Sequence, residues 1–96
     1  MKSKKSSGNV FHDIGFDREK AEHLRIRAML MTELEMVIKR QGLSQTEAAK
    51  KMGVTQPRVS DLMRGKIDLF SIDSLIHMLS AFDMKVRIHV SRPKAA

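Results

Sequence analysis

LSQTEAAKKMGVTQPRVSDLMRGK, Leu43 to Lys66, reads as two short helices joined by a tight turn. Ser44 and Glu47 stand three apart, the spacing at which each side chain satisfies the other's backbone amide, and Leu43 holds the position of a hydrophobic staple. Ala48, Ala49 and Met52 give the first helix an apolar stripe. Gly53 can take the left-handed conformation that ends a helix. Val54 plugs inward, and Thr55 is a good cap for a second helix. Pro57 falls in that helix's first turn, where its missing N–H has no partner to lose. Val59, Leu62 and Met63 repeat at helical spacing, and Gly65 supplies the next stop.

With Val59, Leu62 and Met63 turned inward, Gln56, Pro57, Arg58, Ser60, Asp61 and Arg64 are left facing solvent. Two short helices that cross closely need small residues at the contact, and Ala48 and Ala49 provide them. This is the helix-turn-helix pattern, in which the second helix enters the major groove of DNA. The stretch closely resembles the lambda-repressor and Cro-like (XRE) family of DNA-binding domains. In that family a Gln opens each helix of the motif, matched here by Gln45 and Gln56. With the helices around it, the resemblance covers most of residues 25 to 82. It implies a mostly α fold, a bundle of about five helices built around the motif, and double-stranded DNA as the partner.

Composition sets the bounds. A chain of 96 residues has room for one domain. A domain this small buries roughly 60–65% of its unfolded surface, so its core is modest and a dimer interface would help. There is no Cys, which excludes disulfides and thiolate metal sites and fits a reducing compartment. No apolar run approaches the roughly 18 residues of a membrane span. The basic start MKSKKSSGN is followed by no apolar signal-peptide core, so the expected location is cytoplasmic. A net charge of +7 with a pI near 10.2 favours a polyanionic partner. Placement says more: residues 44–66 carry five basic against two acidic side chains, a net of +3, and residues 67–83 a net of −3. Four Phe with no Trp or Tyr argue against a base-stacking platform for single strands.

Residues 1–9 are polar and Lys/Ser-rich and read as a disordered basic arm, either a solvated tail or one that tracks DNA. Residues 10–92 read as the single domain, and 93–96 as a tail. Val10 to Phe16, VFHDIGF, is a short apolar patch whose Val10, Phe11, Ile14 and Phe16 must pack somewhere. Asp17 is a plausible cap for a long helix running to Gln41 and stopping at Gly42. Leu24, Ala28, Met31, Glu35 and Ile38 fall along one face of it, and Leu30, Leu34, Val37 and Gln41 along a neighbouring one. Glu19 with His23 and Glu35 with Lys39 have the spacing of supportive pairs. After the motif, Ile67 to Phe70 makes a loop with apolar anchors. Ser71 then caps a helix whose inward stripe is Ile72, Leu75, Ile76, Leu79 and Phe82, and Asp83 breaks it. In MKVRIHV, Met84, Val86, Ile88 and Val90 alternate strictly with Lys85, Arg87 and His89. That period of two reads as a half-buried strand over 84–90. A lone strand cannot satisfy its own backbone, and the economical solution is antiparallel pairing with the same strand of a second copy across a two-fold axis.

The order of elements sharpens the resemblance. A subset of XRE proteins has a short apolar entry, a long first helix, the motif, a helix beginning with Phe-Ser and a terminal strand, and residues 10–92 look like that subset throughout. Its members often serve as antitoxin-repressors of host-inhibition-of-growth-type toxin–antitoxin pairs, so the resemblance implies an autoregulating repressor that acts as a homodimer. The alternative is an antitoxin whose main work is binding a small ribonuclease toxin.

In major-groove readout the first residues of the second helix reach base edges. Gln56 suits adenine N6 and N7, and Arg58 suits guanine O6 and N7 or a phosphate. Pro57 can offer only an apolar contact to a thymine methyl, where the family usually has a small polar residue. Ser60 and Asp61 sit nearer mid-helix; Asp61 can accept from a cytosine amine or pair with Arg64 or Arg58. Ser44, Gln45, Thr46, Thr55, Arg64 and Lys66 lie where phosphate contacts are made, which give affinity without sequence information. Eight Met residues suit an adaptable core. His12, His23, His77 and His89 lack metal-ligand spacing. No phosphate loop, catalytic triad or paired carboxylate stands out, so no catalytic site and no cofactor are expected.

Overall fold

A computed structural model describes residues 9–93, with side chains described from Asp17 onward. Four α-helices follow in chain order: α1 (Asn9–Arg40), α2 (Gln45–Met52), α3 (Gln56–Met63) and α4 (Ile72–Ser80), with a 3-10 turn at Ile67–Leu69 between the last two. The bundle therefore has four α-helices among the described residues, not five. The eight residues between Met63 and Ile72 hold only that single turn. Residues 1–8 of the expected arm 1–9, residues 94–96 of the expected tail 93–96 and the packing of Val10, Phe11, Ile14 and Phe16 lie outside what is described; Asn9 is not part of an arm but begins α1.

The core is drawn from every helix. Leu34, Val59, Leu62, Leu75, Met78 and Leu79 are its most enclosed large side chains, with Leu30, Met31, Val37, Ile38, Ala48, Ala49, Met52, Phe70 and Phe82 around them. α1 packs chiefly against α4, and α2 against α3. Ala48, fully buried, and Ala49, nearly so, let α2 and α3 cross closely, as the small-residue contact requires.

Helix α1 departs from its expected course at the N-terminal end. It begins at Asn9 and runs 32 residues, so Asp17 lies inside it and caps nothing. Gly15, worth about 1 kcal/mol against a helix interior, does not break it. Asp17 to Arg25 are all exposed, as is Ala28, and Leu24 keeps 42% of its surface. Burial begins with the half-buried Ile26 and Arg27. The helical periodicity of Leu24 and Ala28 is real, but both stay exposed among the described residues. The ion pair seen on this exposed half joins Glu22 to Arg25 at 2.8 Å; it lowers the Glu22 carboxyl and raises the Arg25 guanidinium from their ordinary values.

The helix ends share one device. After α2, Val54 N–H donates to Ala49 O at 3.0 Å and Gly53 N–H to Lys50 O at 3.3 Å, the paired bonds of a Schellman motif. Gly53 has φ +70°, a conformation that glycine adopts without a Cβ penalty. After α1, the corresponding bonds run from Leu43 to Ile38 and from Gly42 to Lys39, and after α3 from Lys66 to Asp61 and from Gly65 to Leu62. Helix α4 ends likewise, with Met84 N–H on Leu79 O at 3.4 Å and Asp83 N–H on Ser80 O at 3.1 Å. There the left-handed position is held by Asp83, φ 59°.

Beyond Asp83 the expected strand is absent: residues 84–93 form neither helix nor ladder. Among the described residues, Met84 is the last to make a backbone–backbone bond. The alternation that predicts a strand specifies an extended chain, but a ladder needs a second strand, and the described residues offer none. Met84 and Val86 are half-buried against the core, whereas Ile88 and Val90 remain 79% and 85% exposed. No described helix is long and apolar enough to cross a membrane.

Candidate nucleic-acid interface

The motif's turn is built from both sides. Ser44 Oγ accepts from Glu47 N–H at 3.1 Å, and Ser44 N–H donates to Glu47 Oε1 at 2.8 Å. That closes the capping box and holds the Glu47 carboxyl below its usual range, chiefly through the backbone N–H of Ser44. Thr55 Oγ1 accepts from Arg58 N–H at 3.3 Å and starts α3. Each cap hydroxyl accepts one bond here and keeps its O–H as a donor, available to an outside anion. Pro57 lies in the first turn of α3 and is exposed, so its ring stiffens that turn without displacing a bond.

Across the turn the two opening glutamines meet: Gln56 Nε2 donates to Gln45 Oε1 at 2.6 Å. Both are exposed. The bond uses one of the two N–H donors of Gln56 and leaves its carbonyl oxygen and second N–H free of partners among the described residues, the donor–acceptor pair that adenine N7 and N6 require. Ser44, Thr46, Thr55, Arg64 and Lys66 are exposed around this pair, while Ser60 and Asp61 are half-buried. Asp61 takes neither arginine that the spacing offered. It faces Lys66 Nζ at 3.6 Å, at a side-chain exposure of 29% against 48% for Lys66, so the pair is of the exposed kind that contributes about 0–1 kcal/mol.

Arg58 differs from the other residues expected to read bases in its ties to the turn after α3. It is half-buried, its Nη1 donates to Leu69 O at 2.7 Å, and its guanidinium lies 4.0 Å from the centre of the Phe70 ring. A hydrogen bond from a charged donor is worth about 1.5–3 kcal/mol, and a stacked cation about 0.5–2 kcal/mol. A second arginine, which sequence reasoning passed over, approaches the same turn: Arg27 of α1 donates to Ile67 O at 3.1 Å. These contacts span 11 and 40 residues of chain, and no local signal announces them.

Met84, Val86, Ile88 and Val90 lie away from this surface. Val86, Ile88 and Val90 flank an open groove of about 520 Å³ whose other wall includes Ile26 and Met29 of α1 and Ile76 of α4.

A family profile described as a helix-turn-helix domain matches residues 10–91. A solved structure described as an XRE-family transcriptional regulator is 36% identical, covers 80% of this chain and 90% of its own, and superposes with a TM-score of 0.73. No curated protein matches the sequence.

Proposed function

This chain belongs to the helix-turn-helix domain family, and on that footing we propose that it is a transcriptional regulator that binds double-stranded DNA, placing α3 in the major groove. The observation that carries the reading is the Gln45–Gln56 bond. It fixes the amide of Gln56 at the leading edge of α3, with the caps of Ser44 and Thr55 and the cations of Arg64 and Lys66 disposed around it as backbone contacts. Gln56 reads a base edge; Pro57, Ser60 and Asp61 flank it; Ser44, Gln45, Thr46, Thr55, Arg64 and Lys66 hold phosphates. Binding in this way blocks a promoter, so the chain acts as an autoregulating repressor.

The regulator works as a homodimer. The unpaired backbone beyond Met84 and the exposed Ile88 and Val90 suit antiparallel pairing of residues 84–90 with a second copy, which sets two α3 helices on half-sites roughly 34–36 Å apart or a multiple of that. Selection of duplexes from a randomised pool by the purified chain tests this. Enrichment of a two-fold symmetric sequence is the expected result, and a pool left unenriched contradicts it. The apolar groove beside α1 favours one second reading, in which the same chain also masks a small toxin there. Co-purification of such a protein from the native host is its test.

A further inference from the structure

Arginine at the third position of a groove-facing helix would ordinarily be the first choice for reading guanine, because its planar edge matches O6 and N7. In this chain Nη1 of Arg58 is held on Leu69 O and its face lies over Phe70. Phe70 is only 2% exposed, so it cannot follow a departing guanidinium. Arg27 of α1 holds Ile67 O. The turn Ile67–Leu69 is thus gripped by its first and last carbonyls, one by an arginine of α1 and the other by an arginine of α3. Between Arg58 and that turn the chain passes through Arg64 and Lys66, the exposed cations at the foot of α3.

We propose that Arg58 is a positioning residue for DNA binding, not a base reader: it straps the turn after α3 back onto the helix's first turn and so sets Arg64 and Lys66 against the DNA backbone. This rests on the DNA-binding reading above and leaves base selection to Gln56. Arginine suits the role because its planar group can stack on a ring while donating from its edge, whereas the compact ammonium of lysine carries the charge without the stacking plane.

The test compares wild type, Arg58→Ala, Arg58→Lys and Phe70→Leu on a duplex enriched by the wild-type chain from a randomised pool, and on its single base-pair variants. Binding is read by fluorescence anisotropy and folding by circular dichroism. Arg58→Ala is expected to weaken binding to every duplex by a common factor, about five- to tenfold, with the rank order of duplexes intact. Arg58→Lys is expected to follow Arg58→Ala, and Phe70→Leu, with helical content unchanged, to move in the same direction. Amide exchange at Leu69 and Phe70 is expected to quicken in DNA-free Arg58→Ala. Loss of preference at one base pair alone in Arg58→Ala would overturn the proposal and return Arg58 to base reading. Wild-type affinity in Arg58→Lys, or unchanged amide exchange, would overturn the strap. A pool from which wild type enriches nothing overturns the regulator reading itself, while the exchange measurement still decides whether the strap exists.

Discussion

Gln56 donates its side-chain amide to the side-chain carbonyl of Gln45 at 2.6 Å, joining the first residue of α3 to the first residue of α2 across the turn. A free glutamine on a helix surface samples several rotamers, and ordering one on binding opposes affinity. The Gln45 bond orders it in advance. It also settles which face of the amide points outward, so the two glutamines act as one unit.

Gln56→Ala removes the outward donor and acceptor and is expected to weaken binding to the selected sequence by about 1–3 kcal/mol while relaxing preference at one base pair. Gln45→Ala leaves Gln56 present but unordered and is expected to show a smaller loss with the same loss of preference. Lys66→Ala is expected to weaken all duplexes alike. Anisotropy titrations on cognate and scrambled duplexes separate the three patterns; an equal loss on both duplexes for Gln56→Ala would remove it from base reading.

The left-handed positions after α2 and α4 make opposite predictions. At Gly53 an added Cβ meets nothing within 4 Å, so the effect of Gly53→Ala is conformational alone, about 1 kcal/mol of lost stability. In a domain of this size that lowers Tm by about 4–8 °C. Asp83 already sits at φ 59° with a Cβ, and Asp83→Gly is expected to leave stability unchanged or raise it slightly. Urea and thermal denaturation of the two variants read both signs; a stabilised Gly53→Ala would contradict the assignment of Gly53 as the turn's pivot.

These stops were legible in the sequence because they are local. Ser44, Thr55 and Ser71 cap the helices they were read to cap, and Gly42, Gly53, Gly65 and Asp83 lie at the helix ends. The stripes Ala48–Ala49–Met52 and Leu75–Leu79–Phe82 are buried because a period of 3.6 specifies a face wherever a helix has something to pack against. Where the described residues give it no partner, as at Leu24 and Ala28, the same pattern leaves the face exposed. Asp17 resembled a cap, but cap chemistry does not interrupt a helix that continues on both sides. The contacts of Arg27 and Arg58 are tertiary, and their partner atoms are backbone carbonyls, which every residue has. Sequence reasoning had no way to select them.

The capping box of α2 carries a pH signature. The Glu47 carboxyl is held below its ordinary value by the Ser44 N–H, so its contribution to stability is present above the carboxylate's unfolded value and is lost as pH falls through the lower folded one. The stability difference between wild type and Glu47→Ala is therefore expected to be constant near neutrality and to shrink in acid. Denaturation midpoints across that range test it; a difference that widened as pH fell would reverse the sign and contradict the box.

Ile88 is 79% exposed in the single chain, on the segment whose backbone makes no backbone–backbone bond among the described residues. Ile88→Asp places a charge where the proposed two-fold pairing buries an apolar side chain, which is strongly unfavourable without a partner charge. Light scattering is expected to show a dimer for the unaltered chain and a monomer for the variant at the same concentration. A variant that stays dimeric would overturn the pairing of residues 84–90.

Sequence-specific DNA binding through α3 is measured by fluorescence anisotropy with the DNA upstream of the chain's own gene and a scrambled duplex, titrated with salt. Non-specific binding has a Kd of about 10⁻⁴–10⁻⁶ M at physiological salt, and specific binding is typically 10³–10⁷ tighter. A gap of that size between the two duplexes, narrowing little as salt rises because both share the phosphate contacts, is the predicted result. Equal affinity for both duplexes, falling together with salt, would contradict an autoregulating repressor.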